Sequence, residues 1–189
     1  MEIGKILDVK NRKRWRSWLK ENHTKEKEIW LVYYRKASGK TRIPYNDAVE
    51  EALCFGWIDN QVKNIDKERY AQRFSPRRKD SVLSEMNKER IRRLTEQGKM
   101  TKAGLEAVKE HLEKKFVIPK FILNALKKDK ETWKNFQGFP ESYKKIRVGW
   151  IANTRVSDRQ RRLQYFIKID SEEHTSELQS RGLISYAVF

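Results

Sequence analysis

Hydrophobic and polar positions in the first part of the chain predict helices that alternate with strands. Apolar residues recur at helical spacing in the basic segment 9–21, and the aromatic, β-branched run 27–36 indicates a strand. A second helix is predicted over 43–56, where Gly56 suits a helix C-cap. A β-hairpin follows, formed by 57–66 and 69–75.

After Pro76 every predicted element is a helix. These helices cover 81–100, 101–115, two short stretches within 118–139, then 140–154 and 156–169. The fold class predicted is therefore α+β. A small antiparallel sheet with packed helices occupies residues 1–78, and residues 79–170 form an all-helical part. No Gly- or Ser-rich linker separates the parts, so we expect them to pack as one compact unit.

The last residues, 171–189, differ in character from the rest of the chain. They read SEEHTSELQSRGLISYAVF, and SEEHTSELQS resembles an in-frame translation of a common sequencing-library adapter. The final ISYAVF resembles the distal part of the same adapter. We therefore expect this tail to be foreign to the natural protein, and we leave it out of the fold prediction.

The charge of the chain points to anionic partners. It has 43 basic and 26 acidic residues, a formal net charge of +17, and 38% hydrophobic residues, which suffice for a core. Nucleic acid is the commonest such partner, and a lysine-rich solubilising surface is the alternative. The single cysteine, Cys54, excludes an internal disulfide, and no apolar run is long enough to span a membrane. These features favour a cytoplasmic protein.

Several uncommon strings occur in an order that resembles one protein family. They are EALCFGWIDNQ, RYAQRFSPRR, SEMNKERI and LTEQGKMTKAGL, followed by IPKFILNAL, NFQGFPESYKKIRVGWI and DRQRRLQYFI. Over residues 12–168 the chain resembles the YdeI/OmpD-associated family, also labelled bacteriocin-protection protein. The resemblance implies a fold related to the YjbR/CyaY-like group, an antiparallel sheet with packed helices. Asn87, within SEMNKERI, joins the candidate binding residues.

A first candidate site is a group of arginines that continues from a predicted strand into a loop: Arg69, Arg73, Arg77 and Arg78. Guanidinium groups in such positions suit phosphate or carboxylate. Ser81 lies close in sequence, and Asp59 on the facing strand would orient one of the arginines. The alternative is a set of structural ion pairs that crosses the hairpin.

A second candidate site is a set of arginines on the last predicted helix. Arg155, Arg159 and Arg162 are spaced four and three residues apart and share one face, which would suit a phosphate backbone. Leu163, Phe166 and Ile167 are expected on another face, in the core. The alternative is a solvated basic stripe or a set of ion pairs.

Trp57 opens the string GWIDNQ and has two interpretations. It is either a core residue that starts a strand or a wall at the edge of a ligand pocket, next to Asp59. Cys54 reads as a packing residue, because nothing in the sequence places His23 or His111 beside it. No metal-ligand spacing and no Gly-rich phosphate loop occurs, so the sequence predicts neither a metal nor a cofactor.

Three functions are compatible with these observations. The first is a non-enzymatic binding protein for an anionic partner, with nucleic acid bound through its phosphates favoured. The second is an enzyme or sensor for a small anionic metabolite, with a pocket of Asp, Arg and Trp. The third is a protein of bacteriocin or envelope-stress protection that acts through a protein partner, as the family label suggests. A strongly basic protein repels cationic peptides, which argues against their direct capture.

Overall fold

Four strands form one sheet in a computed structural model of the chain, which describes residues 2–172 and the side chains of 2–168. The strands are β1 (Ile6–Leu7), β2 (Ile29–Tyr34), β3 (Trp57–Asn64) and β4 (Arg69–Pro76), in the order β1-β2-β4-β3. β2, β4 and β3 pair antiparallel, as the sequence predicts, whereas β1 pairs parallel with β2. The sheet is therefore mixed, and the fold is α+β.

The chain divides into two compact units between Lys114 and Lys115, called here the first and the second unit. The sequence pattern instead changes character after residue 78. Residues 79–114 belong with the sheet because Ile91, Leu94 and Val108 lie in the same core cluster as its strands. Close packing of the two parts stays a prediction. Residues 173–189 of the predicted foreign tail lie outside the described residues.

The helices of the first unit are α1 (Arg12–Asn22), α2 (Tyr45–Cys54), α3 (Glu85–Glu96), α4 (Lys102–Glu106) and α5 (Lys109–Leu112). Asn11, Ser84 and Thr101 cap three of them by accepting hydrogen bonds from backbone N–H groups. The helix predicted over 101–115 is two short helices, because the chain leaves helical geometry at Val108 (φ −121°).

The core of the first unit lies between one face of the sheet and α1 and α2. Trp15 and Leu19 of α1 pack against Phe74 of β4, and the apolar side of α2 closes the cluster. The buried indole of Trp15 donates from Nε1 to the carbonyl oxygen of Ala48 at 2.9 Å. That hydrogen bond satisfies a polar atom that would otherwise be costly to bury.

The C-terminal end of α2 meets α4 backbone to backbone. A Cβ atom on Gly104 would overlap the carbonyl oxygen of Cys54 and lie 2.9 Å from that of Leu53. Thr101 donates to the same Cys54 carbonyl, from its backbone N at 3.0 Å and from Oγ1 at 2.6 Å. Gly56 continues the junction with φ +76°, and a Cβ there would lie 2.9 Å from the Cβ of Ala107. Two glycines thus permit a contact that larger residues would prevent.

We expect Gly104→Ala to lower the free energy of unfolding by about 2–3 kcal/mol, because the added methyl group meets rigid backbone and forces α4 away from α2. Urea denaturation followed by circular dichroism measures the change. Gly138→Ala serves as the control, since a Cβ at Gly138 meets no atom within 4 Å. Equal stability of the two variants would contradict the close approach.

The second unit is helical throughout its described residues. It contains α6 (Lys120–Leu126), α7 (Lys130–Gly138), α8 (Glu141–Ala152) and α9 (Val156–Glu172), which confirms the two short helices predicted within 118–139. Its own core holds residues such as Ile122, Phe136 and Phe166. Within residues 2–172, none of the helices combines the length and the apolar character that crossing a bilayer requires.

Candidate functional site

Trp57 lies in the core of the first unit, with 1% of its surface exposed. Its ring packs edge-on against Trp18 at 5.9 Å, and Nε1 donates to the carbonyl oxygen of His23 at 3.1 Å. The side chain starts β3 and closes the sheet against α1. This position agrees with the core interpretation of GWIDNQ and leaves no face of the ring to line an open pocket.

Asp59 is held by neutral donors instead of an arginine. Its Oδ2 accepts hydrogen bonds from Tyr45 Oη at 2.8 Å and from Gln72 Nε2 at 2.7 Å. The prediction that Asp59 orients an arginine of the hairpin is therefore wrong. Burial is the main cause that raises the pKa of Tyr45, and the neighbouring Asp59 carboxylate raises it further. Tyr45 consequently remains a proton donor to this carboxylate.

Two arginines of the first candidate site form ion pairs inside the protein. Arg69 pairs with Asp66 at 2.7 Å within the hairpin turn, and Arg73 pairs with Glu28 at 2.5 Å beside β2. The hydrogen bond from Arg73 is the main cause that lowers the pKa of Glu28, and Arg69 lowers the pKa of Asp66 in the same way. Both guanidinium charges are balanced locally, which leaves them little capacity for an external anion.

Arg77 differs from these two because no carboxylate forms an ion pair with it among the described residues. Its backbone N–H donates to the Gly56 carbonyl at 2.9 Å, and Nη2 donates to the Ser81 carbonyl. Its Nε is buried without a hydrogen-bond partner in the described part of the chain. Burial lowers the pKa of Arg77 from its ordinary value. Arg77 is thus a partly desolvated cation whose charge the described residues do not neutralise.

The remaining residues predicted around this cluster have structural contacts. Ser81 Oγ donates to the Arg78 carbonyl at 2.7 Å and closes a turn, while the Arg78 side chain is exposed. Asn87 lies in the first turn of α3, where its backbone N–H donates to Ser84 and its Oδ1 accepts from Arg90 Nη1 at 2.8 Å. The structure does not bring Asn87 into a hydrogen bond with any predicted arginine of the cluster.

A cavity of about 510 Å³ lies beside Arg77 in the first unit. Its lining comes from the loop after β4 and from the segment around α4 and α5, and it contains both signs of charge: Arg77, Lys79, Lys109, His111, Glu106, Glu110 and Glu113, with Ala103 and Ala107. The residues from α4 and α5 were not predicted from the sequence. The backbone junction at Gly56 and Gly104 helps to bring that segment next to Arg77, and no local sequence pattern predicts this contact.

A buried ionic cluster joins α1, α2 and α3. Glu51 accepts from Arg12 Nε at 2.5 Å and from Arg16 Nη1 at 2.6 Å, while Glu50 pairs with Arg93 and, at 3.0 Å, with Arg12. Adjacent residues diverge on a helix, yet the guanidinium of Arg12 reaches both carboxylates. The cluster links three helices and is satisfied from within, so we assign it a structural role.

Arg159 and Arg162 pack over aromatic rings in the second unit and do not form a fully solvated basic stripe. The guanidinium carbon of Arg159 lies 5.8 Å from the ring centre of Phe121, and that of Arg162 lies 4.6 Å from Trp150. Phe166 follows Arg159 by seven residues, about two helical turns, so the two side chains share a side of α9. The predicted separation of arginine and apolar faces is therefore wrong, although Leu163 and Phe166 are core residues as expected.

Positive charge is denser in the second unit than in the first. Residues 115–170 contain 14 basic and 5 acidic residues, against 28 and 18 in residues 1–114. Ion pairs in the second unit include Lys144–Glu141 within α8 and Arg161–Asp158 within α9. Among the described residues, no ion pair neutralises the second predicted set, Arg155, Arg159 and Arg162, and Arg155 is exposed. This unit retains a large uncompensated charge.

The described residues offer no metal centre, since no group of three His, Cys, Asp or Glu side chains is placed to hold an ion within residues 2–168. Cys54 is buried at the end of α2, and burial is the main cause that raises the pKa of its thiol. A thiol of raised pKa is a poor nucleophile near neutral pH. This agrees with its interpretation as a packing residue.

Comparisons with known proteins identify two family segments in the chain. Residues 7–107 match the family described as "Domain of unknown function (DUF8412)". Residues 115–169 match the family described as "Bacteriocin-protection, YdeI or OmpD-Associated". The expected resemblance is thereby confirmed for the second segment, and the first segment matches a different description. No curated protein and no solved structure matches the chain.

Proposed function

We propose that this chain, which belongs to the DUF8412 family through residues 7–107 and carries a YdeI/OmpD-associated segment at 115–169, is a non-enzymatic binding protein for nucleic acid. The second unit binds the phosphate backbone. The observation that carries the proposal is the excess of 14 basic over 5 acidic residues across 115–170, with arginines packed on aromatic rings instead of carboxylates.

The packing of the arginines supports phosphate binding for a physical reason. An arginine that packs over an aromatic ring keeps its charge while its side chain loses few further conformations on binding. Such a cation offers N–H groups to a phosphate without first breaking an ion pair. Several cations of the first unit, among them Arg12, Arg16 and Arg73, already have carboxylate partners. Phosphate contacts of this kind carry little sequence information.

We expect the full chain to bind a generic DNA duplex with an affinity that falls steeply as salt increases. The slope of log affinity against log salt is about −0.9 per neutralised phosphate. The triple variant Arg155→Gln, Arg159→Gln and Arg162→Gln keeps much of each side-chain stem and should reduce the magnitude of the slope by up to about three units. Fluorescence anisotropy over a salt series measures both quantities.

A matched control removes the same charge from the first unit. Lys13→Gln, Arg14→Gln and Lys20→Gln change three exposed residues of α1. The proposal requires the control to keep most of the slope. An equal loss in both triple variants would show that only total charge matters, and absence of salt-dependent binding by the unaltered chain would refute the proposal.

The proposal extends to the location of the protein, its fold relationship and its role in stress protection. We propose a cytoplasmic location, which the single cysteine, Cys54, favours, and a relation to the YjbR/CyaY-like group, which the antiparallel pairing and packed helices support. A contribution to bacteriocin or envelope-stress protection would proceed through the anionic partner, because a chain of net charge +17 repels cationic peptides.

A further inference from the structure

The cavity beside Arg77, lined by residues of the first unit, has the composition of a small-molecule site. Its volume of about 510 Å³ falls in the usual range of ligand pockets, about 300–1,000 Å³. The backbone hydrogen bond from Arg77 to Gly56 and the close approach of Gly56 to Ala107 hold the Arg77 side of the cavity against α4. Closely packed backbone therefore holds one side of the cavity in place, which favours a defined ligand geometry.

Arg77 supplies the anion-binding element of this cavity. Its guanidinium is partly withdrawn from water, and no ion pair compensates it among residues 2–168. A desolvated cation without a counter-charge is unfavourable, so an oxyanion that reaches it gains a strong charge-assisted hydrogen bond. His111, nearly buried, also lines the cavity and donates from Nε2 to the Lys79 carbonyl at 3.0 Å.

The opposite charge is present in the same lining. Glu106, Glu110 and Glu113 face the cavity, and none of them forms an ion pair within the described part of the chain. Arg77, Lys79 and Lys109 belong to the same lining, so the cavity presents three acidic and three basic side chains. The carboxylates attract an ammonium group, and the basic side chains attract an oxyanion.

We propose that this cavity binds a small zwitterion, whose oxyanion pairs with Arg77 and whose ammonium group pairs with the carboxylates of the α4–α5 segment. The mixed charge of the lining favours a ligand that carries both charges over a polyanion. It is independent of the proposed phosphate-backbone binding by the second unit, and either property stands if the other fails.

Isothermal titration calorimetry on the full chain tests the proposal with four probes. O-phosphoethanolamine and β-alanine carry both an ammonium group and an oxyanion. Inorganic phosphate carries only negative charge, and ethanolamine carries only positive charge. We expect at least one zwitterion to bind about tenfold more tightly than either singly charged probe, since each added charged contact contributes about a factor of ten. Equal affinity of phosphate and O-phosphoethanolamine, together with no binding of β-alanine, would overturn the proposal, as would absence of binding by both zwitterions.

Three variants assign the two charges to their residues. Arg77→Gln should weaken the zwitterion about tenfold, while Arg78→Gln, which removes the same charge from an exposed neighbour, should leave it unchanged. Glu110→Gln, at an exposed position, should reduce the preference for the zwitterion over its anionic half. Arg77→Gln also removes the hydrogen bond to the Ser81 carbonyl and could disturb that loop. Glu110→Gln does not affect this bond, so it tests the site independently. Unchanged zwitterion binding in both Arg77→Gln and Glu110→Gln would overturn the proposal.

Discussion

Replacing Trp57 by Ala is expected to lower the free energy of unfolding by about 3–5 kcal/mol. The ring is almost fully buried, packs edge-on against Trp18 and donates to the His23 carbonyl, so its removal opens a cavity and deletes a hydrogen bond. Urea denaturation followed by circular dichroism measures the loss without interference from the fluorescence of the other five tryptophans.

Trp57→Phe is the matched variant for this experiment. It loses the hydrogen bond to His23 but retains an aromatic ring and most of the packing in the core. We therefore expect it to lose less than half as much stability as Trp57→Ala. A loss below about 1 kcal/mol for the alanine variant would contradict the core assignment. It would support the alternative interpretation, in which Trp57 lies at the edge of a binding pocket.

Glu51→Ala is expected to cost about 3 kcal/mol of unfolding free energy. Only 3% of the Glu51 side chain is exposed, and its two oxygens accept from Arg12 and Arg16, so the variant leaves two cations partly buried without this carboxylate. The figure is at the low end for a buried pair because both arginines reach solvent in part. Urea denaturation measures the change.

Glu21→Ala provides the control for Glu51, because Glu21 is an exposed glutamate on α1 with no ion pair in the described residues. It should change stability by no more than about 0.5 kcal/mol. If Glu51→Ala is equally mild, the ionic cluster of α1, α2 and α3 does not stabilise the fold.

The sequence predicted those parts of the fold that follow from local periodicity. Apolar residues at helical spacing predicted α1, and a β-branched, aromatic run predicted β2. The two residues of β1 offered no period to detect, and their parallel pairing with β2 depends on contacts across the chain. The break at Val108 was missed because the flanking residues suit a continuous helix.

The candidate sites were harder to predict because charge balance depends on tertiary contacts. Arg73 and Arg77 look alike in the string RYAQRFSPRR, yet Glu28, 45 positions from Arg73, pairs with the first and no carboxylate pairs with the second among described residues. The α4–α5 lining of the cavity depends on Gly56 and Gly104, whose importance is visible only once the backbones are brought together.

The position of β3 at the end of the strand order has a consequence for self-association. An edge strand with free backbone groups is a template for pairing with a second chain. β3 interrupts its own register between Asp59 and Val62, where Asn60 folds back to accept from the Gln61 N–H at 2.7 Å. This irregularity, followed by the cationic Lys63, hinders the addition of another strand even though Val62 is 58% exposed. Mutations that straighten this stretch or neutralise Lys63 would therefore promote aggregation.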